Sequence, residues 1–177
     1  TGGLRALSAQ DQLVLFEDFE FHSGAWAGAA QTALIDPYSG MLGPVPAGLV
    51  MQRPLRLPTG YRNAVLELDV LFFNDWQGAA VEVNFADVLL RISGTVQAPV
   101  LELARQSRDG VQFQILDHRI PETETDAPMR LCLRLAVRDY DLETEVTVFG
   151  TPDETSPYEI GLDNLRVIVS DTPLEAV

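Results

Sequence analysis

The sequence predicts an all-β fold: a single domain built as a two-sheet antiparallel β-sandwich of jelly-roll type. Apolar and polar residues alternate over short stretches, which is the pattern of strands with one buried face. Turn signals rich in Gly, Pro and Asp separate these stretches, and no stretch has helical periodicity over a useful length. Antiparallel strands with one polar face bury the other face when two sheets pack together.

The predicted strands follow the chain in order. They are residues 13–19, 48–57, 64–73, 79–85, 88–92, 100–104, 111–118, 130–137, 145–149 and 158–169. Residues 64–73 alternate most clearly, and Arg108-Asp109-Gly110 is a hairpin signal. Residues 22–47 are rich in Gly, Ala and Pro and predict a long irregular segment. We expect residues 1–11 to form a flexible arm and residues 12–177 to form the sandwich domain.

Composition limits the classes of function. The chain has 177 residues, 46% of them hydrophobic, and no apolar run reaches the roughly 18 residues of a membrane span. The net charge is −14 and every basic residue is Arg, so we expect no nucleic-acid binding and no membrane insertion. The lack of Lys fits a GC-rich bacterial genome, and a solvated surface is the simplest explanation of the acidity. Cys132 is the one cysteine, which excludes an intrachain disulfide and a cysteine-based zinc site.

The last predicted strand, residues 158–169, organises the rest of the chain. Its opening carries Asp163, which the alternation places in line with an inward-facing set: Leu165, Val167 and Val169. A buried carboxylate needs either a hydrogen-bond donor or a metal ion. We expect the first strand to pair beside this one, and any site to lie there.

Five short motifs occur in order along almost the whole chain. They are Glu17-Asp18-Phe19-Glu20, Leu42-Gly43, Leu57-Pro58, Asn74-Asp75-Trp76-Gln77-Gly78 and Gly161-Leu162-Asp163-Asn164. The ordered set resembles a β-sandwich module of bacterial exported proteins, a lectin-like or carbohydrate-binding-like jelly roll of concanavalin A-like type. The resemblance implies a secreted or cell-surface location outside the cytoplasm and no definite activity. The chain departs from the family pattern at Asn74 and Gln77, which stand at two positions that are usually acidic.

Residues 1–10 carry neither the basic nor the apolar region of a signal peptide. We therefore expect that a signal peptide either was removed or was never present.

Calcium is the cofactor that this resemblance suggests, because in jelly-roll binding modules an ion commonly ties the first strand to the last. Calcium takes six to eight oxygen ligands from carboxylates and carbonyls. The candidate ligands are Glu17, Asp18, Glu20, Asp163 and Asn164. The alternative is that Asp163 caps a turn by accepting backbone N–H bonds while the early acids face water.

A glycan site is the second candidate, centred on Trp76. A tryptophan can stack on a sugar ring while acidic and amide side chains bond its hydroxyls, and Asn74, Asp75 and Gln77 flank Trp76 suitably. The alternative is that Trp76 fills one end of the core. Trp26 allows the same two interpretations.

Catalysis has little support. Asp141, Glu143 and Glu145 alternate as strand-borne carboxylates do in some glycoside hydrolases, but the order of residue types differs and a turn precedes them. His22 and His118 have no spaced companion for a metal site or a triad.

Three functions stay open. The leading hypothesis is a non-catalytic extracellular binding or adhesion module with a glycan or surface polymer as ligand. One variant of this hypothesis includes stabilisation by calcium. The second is a structural subunit of a surface assembly, which joins itself or a partner protein by strand addition at an exposed edge. The third is a glycan-active hydrolase.

Overall fold

The computed structural model describes residues 11–17, 19, 26, 32–36, 39–105, 110–121 and 128–171, which form twelve strands and no helix. In chain order these are β1 (Asp11–Glu17), β2 (Thr32–Asp36), β3 (Ser39–Pro46), β4 (Val50–Arg56), β5 (Asn63–Phe73), β6 (Val81–Phe85), β7 (Val88–Gly94), β8 (Pro99–Arg105), β9 (Val111–Arg119), β10 (Met129–Arg138), β11 (Glu143–Gly150) and β12 (Glu159–Ser170). Of the predicted arm only Asp11 is described, and it begins β1. The rest of that prediction lies outside the described residues.

The strands form two antiparallel sheets. The seven-stranded sheet has the order β2-β3-β12-β5-β10-β9, with β1 also paired to β12, and the five-stranded sheet has the order β4-β11-β6-β7-β8. β12 pairs with β5 along one edge, and along the other edge with β3 and then with β1. The prediction that the first strand pairs beside the last is therefore confirmed.

One apolar core lies between the two sheets. The inward residues of β5 are all buried, as the alternation predicts: Ala64, Leu66, Leu68, Val70 and Phe72. They share a cluster with inward residues of the five-stranded sheet, among them Val83, Phe85, Val146 and Val148. The prediction of an all-β protein with two antiparallel sheets is confirmed, and the jelly-roll type stays a prediction.

The segment predicted as irregular, residues 22–47, contains β2 and β3. Its glycines and prolines suggested a loop, but Gly43 instead serves a close approach of β3 to β12. Gly43 has a φ of +96°, and a Cβ atom there would lie 3.0 Å from the carbonyl oxygen of Ile160. A glycine in a strand can thus indicate a tightly packed backbone as well as a break.

A β-bulge in β12 changes the direction of Asp163. Asp163 is paired with Asp69 and Arg166 with Glu67, so two residues of β12 face the single residue between those partners on β5. Asn164, with a φ of 45°, lies in the bulge. The prediction that Asp163 lies in line with Leu165 is wrong, because the extra residue breaks the period of two. Asp163 therefore lies on the outer face of the seven-stranded sheet, beside Asp69.

Candidate functional site

A cleft of about 400 Å³ opens where the β5–β6 loop meets the β7–β8 turn. We call it the end cleft, and its lining residues are Asp75, Trp76, Gln77, Thr95, Val96 and Gln97. Three of the four residues predicted to bind a glycan therefore line one cleft, while Asn74 is not among its lining residues. The opposite wall was not predicted, because nothing in the sequence places residues 95–97 beside residues 75–77.

The β5–β6 loop is shaped by two left-handed residues in succession. Asn74 and Asp75 have φ angles of 59° and 65°, a region that Asn and Asp tolerate better than most side chains do. The hydroxyl of Ser156 donates a hydrogen bond of 2.8 Å to the backbone carbonyl of Asp75. This contact with the β11–β12 connection stabilises the loop conformation that presents the Asp75 side chain.

Two glycines bring the walls of the end cleft together. Gly78 has a φ of +94°, and a Cβ atom there would lie only 2.3 Å from the carbonyl oxygen of Gly94. No other residue type fits at this approach without moving backbone. His118 further anchors the second wall, since its Nε2 lies 2.8 Å from the carbonyl oxygen of Val96.

Trp76 forms the inner end of the cleft and belongs to the core. Its side chain is 2% exposed, its indole N–H donates to the carbonyl of Ala79 at 2.7 Å, and its ring centroid lies 4.7 Å from that of Phe72. The ring therefore has no exposed face on which a sugar can stack in this arrangement. Trp26 is also buried, and its indole N–H donates to Glu17 at 2.7 Å.

The polar groups of the end cleft both donate and accept hydrogen bonds. Gln77 Nε2 donates to Asp75 Oδ1 at 2.9 Å, and the Thr95 hydroxyl oxygen accepts the backbone N–H of Ala98 at 3.0 Å. The second carboxylate oxygen of Asp75, the Gln77 carbonyl oxygen and the Thr95 O–H are left to meet a ligand. Such a set suits hydroxyl groups, because a hydroxyl also donates and accepts.

The predicted calcium ligands lie on different faces of the sheet. Glu17 is paired with the inward residue Leu165 and lies 3.5 Å from Arg53, whereas Asp163 faces outward. Asp18 and Glu20 lie outside the described residues. Among the described residues, no group of three or more Asp, Glu, His or Cys side chains is arranged to hold a metal ion. The calcium site stays a prediction.

A set of acidic and arginine side chains crosses the outer face of the seven-stranded sheet, and we call it the outer ladder. Its members are Glu67, Asp69, Arg130, Arg134, Asp163 and Arg166. Arg130 lies 2.6 Å from Asp69 and 3.5 Å from Asp163, while Arg166 lies 2.6 Å from Glu67. The donor that the buried Asp163 requires is thus supplied in part by an arginine.

Cys132 lies in the same face, opposite Asp69. Burial, together with the neighbouring Asp69 carboxylate, raises the pKa of the Cys132 thiol well above its usual range. The thiol therefore stays protonated at neutral pH, which makes it a poor nucleophile.

We expect Asp163→Ala to lower the free energy of unfolding by about 1.5–3 kcal/mol, the range for hydrogen bonds to charged groups. The loss should be equal in excess calcium and in chelator, because Arg130 and the backbone N–H of Asn164 already meet the carboxylate. Urea unfolding in both buffers measures it. A loss seen only with calcium would place an ion at Asp163 and contradict this expectation.

A second depression, of about 640 Å³, lies on the outer face of the five-stranded sheet. Glu143 and Glu145 line it from β11, next to Arg56, and Gln52 donates a hydrogen bond to Glu145. Asp141 lies before β11 begins, so only two of the three alternating acids share the strand. Glu143 and Glu145 are thereby placed outside the end cleft.

No protein-family model matches the chain, and a search of curated proteins gives no match. Within the described ranges, the chain has no helix with the length and hydropathy of a membrane span.

Proposed function

We propose that this protein is a non-catalytic binding module of jelly-roll type, in an exported bacterial protein, and that the end cleft binds a glycan. One observation carries the proposal. The cleft gathers Asp75 and Gln77 from one loop and Thr95 and Gln97 from another, on walls locked together at Gly78. Because the backbone of both walls is held in place, it loses little freedom when a ligand binds, which favours recognition.

The chemistry of the lining favours binding over turnover. A retaining glycosidase needs two carboxyl groups about 5–5.5 Å apart, and an inverting one needs about 6.5–9.5 Å. Asp75 is the one carboxylate that lines the end cleft among the described residues. A single carboxylate can accept hydrogen bonds from a sugar but cannot supply both the acid and the base or nucleophile.

The expected affinity is low, because Trp76 is buried and contributes no stacking surface. Each hydrogen bond contributes a net stabilisation of about 0.5–1.5 kcal/mol. A few such bonds sum to only about 2–5 kcal/mol before the cost of association, so we expect a dissociation constant of about 1 mM or weaker. Weak single-site binding of this kind suits a module that attaches to a repetitive polymer through many copies.

We expect Gln77→Ala to weaken glycan binding about fivefold, because one hydrogen bond of about 1 kcal/mol is lost. The measurement is a titration of neutral tetrasaccharides of gluco, manno and galacto configuration, followed by chemical shifts. Gln12→Ala is the matched control, since Gln12 is an exposed glutamine on β1 that accepts a hydrogen bond from Tyr61.

A second candidate is a subunit of a surface assembly. Leu13 and Phe16 on β1 are 45% and 50% exposed, and β12 is the strand that β1 pairs with in the described sheet. β1 thus offers an apolar edge for strand addition. Failure of every glycan to bind, with self-association that Phe16→Asp abolishes, would reject the glycan proposal and favour this one.

A further inference from the structure

We infer that the end cleft selects uncharged glycans over acidic ones, with the free oxygen of Asp75 accepting hydrogen bonds from neighbouring hydroxyls of one sugar ring. This inference rests on the proposed function and names its ligand class. It depends on three features of the cleft, which are the direction of its hydrogen bonds, its charge and its rigidity.

Hydrogen-bond direction is set by contacts inside the protein. Gln77 donates one N–H to Asp75 Oδ1. The Gln77 carbonyl oxygen and Asp75 Oδ2 remain as acceptors on the same wall. On the other wall, Thr95 accepts from the Ala98 backbone, so its O–H is free to donate. The two oxygens therefore favour ligand donors at the first wall, where the second N–H of Gln77 can also donate, and the Thr95 O–H favours an acceptor at the second wall. Adjacent sugar hydroxyls meet this demand, because each hydroxyl both donates and accepts.

Charge in the cleft opposes acidic sugars. Asp75 brings an acidic side chain to the lining, and no Arg or His lines the cleft in the described part of the chain. A uronate or sulfate held there would meet a carboxylate at close range with no cation to offset the repulsion, and like charges in contact select strongly against a ligand. A hydroxyl meets the same carboxylate as a charge-assisted hydrogen bond, which is about twice as strong as a neutral one.

The backbone around Asp75 is held in place. Its backbone conformation is left-handed, Ser156 holds its carbonyl at 2.8 Å, and Gly78 leaves no room between the two loops. The loop backbone that presents the carboxylate at the cleft is therefore held in place by contacts with neighbouring segments.

The test compares Asp75→Asn with Glu143→Gln, and both variants carry a net charge of −13, one unit less negative than −14. Asn keeps the size of Asp75 and tolerates the same backbone angles. The probes are neutral tetrasaccharides of gluco, manno and galacto configuration and, against them, tetragalacturonate. Dissociation constants are measured by chemical-shift titration at low and at moderate salt.

We expect the wild type to bind at least one neutral probe about tenfold or more tightly than tetragalacturonate. In Asp75→Asn the ratio should shrink to about threefold, through weaker neutral binding and stronger uronate binding, whereas Glu143→Gln should keep the wild-type ratio. The preference should also shrink as salt rises.

Three results would overturn the inference while leaving the glycan function in place. They are equal wild-type binding of both probe types, an unchanged ratio in Asp75→Asn, and an equal loss of preference in Glu143→Gln, which would assign the effect to net charge. Binding of neither probe type by the wild type would instead overturn the proposed function itself.

Discussion

Glu67→Gln should lower the free energy of unfolding by about 3–5 kcal/mol, the cost of removing one partner from a buried ion pair. Glu67 is fully buried in the outer ladder, with Oε2 2.6 Å from Arg166 Nε and Oε1 3.7 Å from Arg134 Nε. Both arginine side chains are only 11% exposed. Gln keeps the shape of Glu67 but removes the charge, so two nearly buried cations are left without their shared anion.

Urea unfolding measures the change. An unaltered slope of the unfolding free energy against urea concentration would show that the unfolded state is unaffected. Glu102→Gln is the matched control, because Glu102 lies 3.5 Å from Arg91 with its side chain 55% exposed. We expect that control to change stability by less than about 1 kcal/mol. Equal losses in the two variants would show that the outer ladder is no stronger than a surface ion pair.

Trp76→Ala should lower the free energy of unfolding by about 3–5 kcal/mol, the range for removing a large aromatic side chain from a core. The ring is buried against Phe72, and its removal also leaves the carbonyl of Ala79 without its donor. An exposed stacking platform would behave differently, since its truncation hardly affects the fold.

Thermal or urea unfolding of Trp76→Ala and Trp76→Phe separates these two roles. Trp76→Phe keeps an aromatic ring in the core and loses the indole N–H, so its stability should lie between wild type and Trp76→Ala. A stable Trp76→Ala protein that has lost glycan binding would contradict the core assignment and restore Trp76 as a binding surface.

Period-two alternation predicted the strands whose inner face is buried between two sheets. β5 is the clearest case, because Ala64 to Phe72 keep one phase over the whole strand and all inward residues are buried. The same pattern could not identify β2, which is only five residues long, or β3, which contains Gly and Pro residues. Alternation identifies strands with one face in the core. Strand pairing also depends on the backbone hydrogen-bonding groups that the neighbouring strand presents.

The candidate sites were less predictable, because they depend on contacts between distant segments. The motif at Asn74 to Gly78 marked one wall of the end cleft, but Thr95 and Gln97 carry no motif. The single extra residue at Asn164 turns the Asp163 side chain to the outer face, where it forms an ion pair with Arg130. A one-residue shift in a strand moves every following side chain to the other face, and no alternation in the sequence alone reveals where it occurs.

The central position of β12 constrains the order in which this protein can be completed during synthesis. β12 is the last of the twelve strands to leave the ribosome, yet β1, β3 and β5 all pair with it. Until it arrives, β5 keeps one edge unpaired, and the pairings of β1 and β3 with β12 cannot form, a situation that favours slow folding and aggregation. A premature stop before residue 159 should therefore yield a protein with an unpaired, aggregation-prone sheet edge instead of a shorter stable domain.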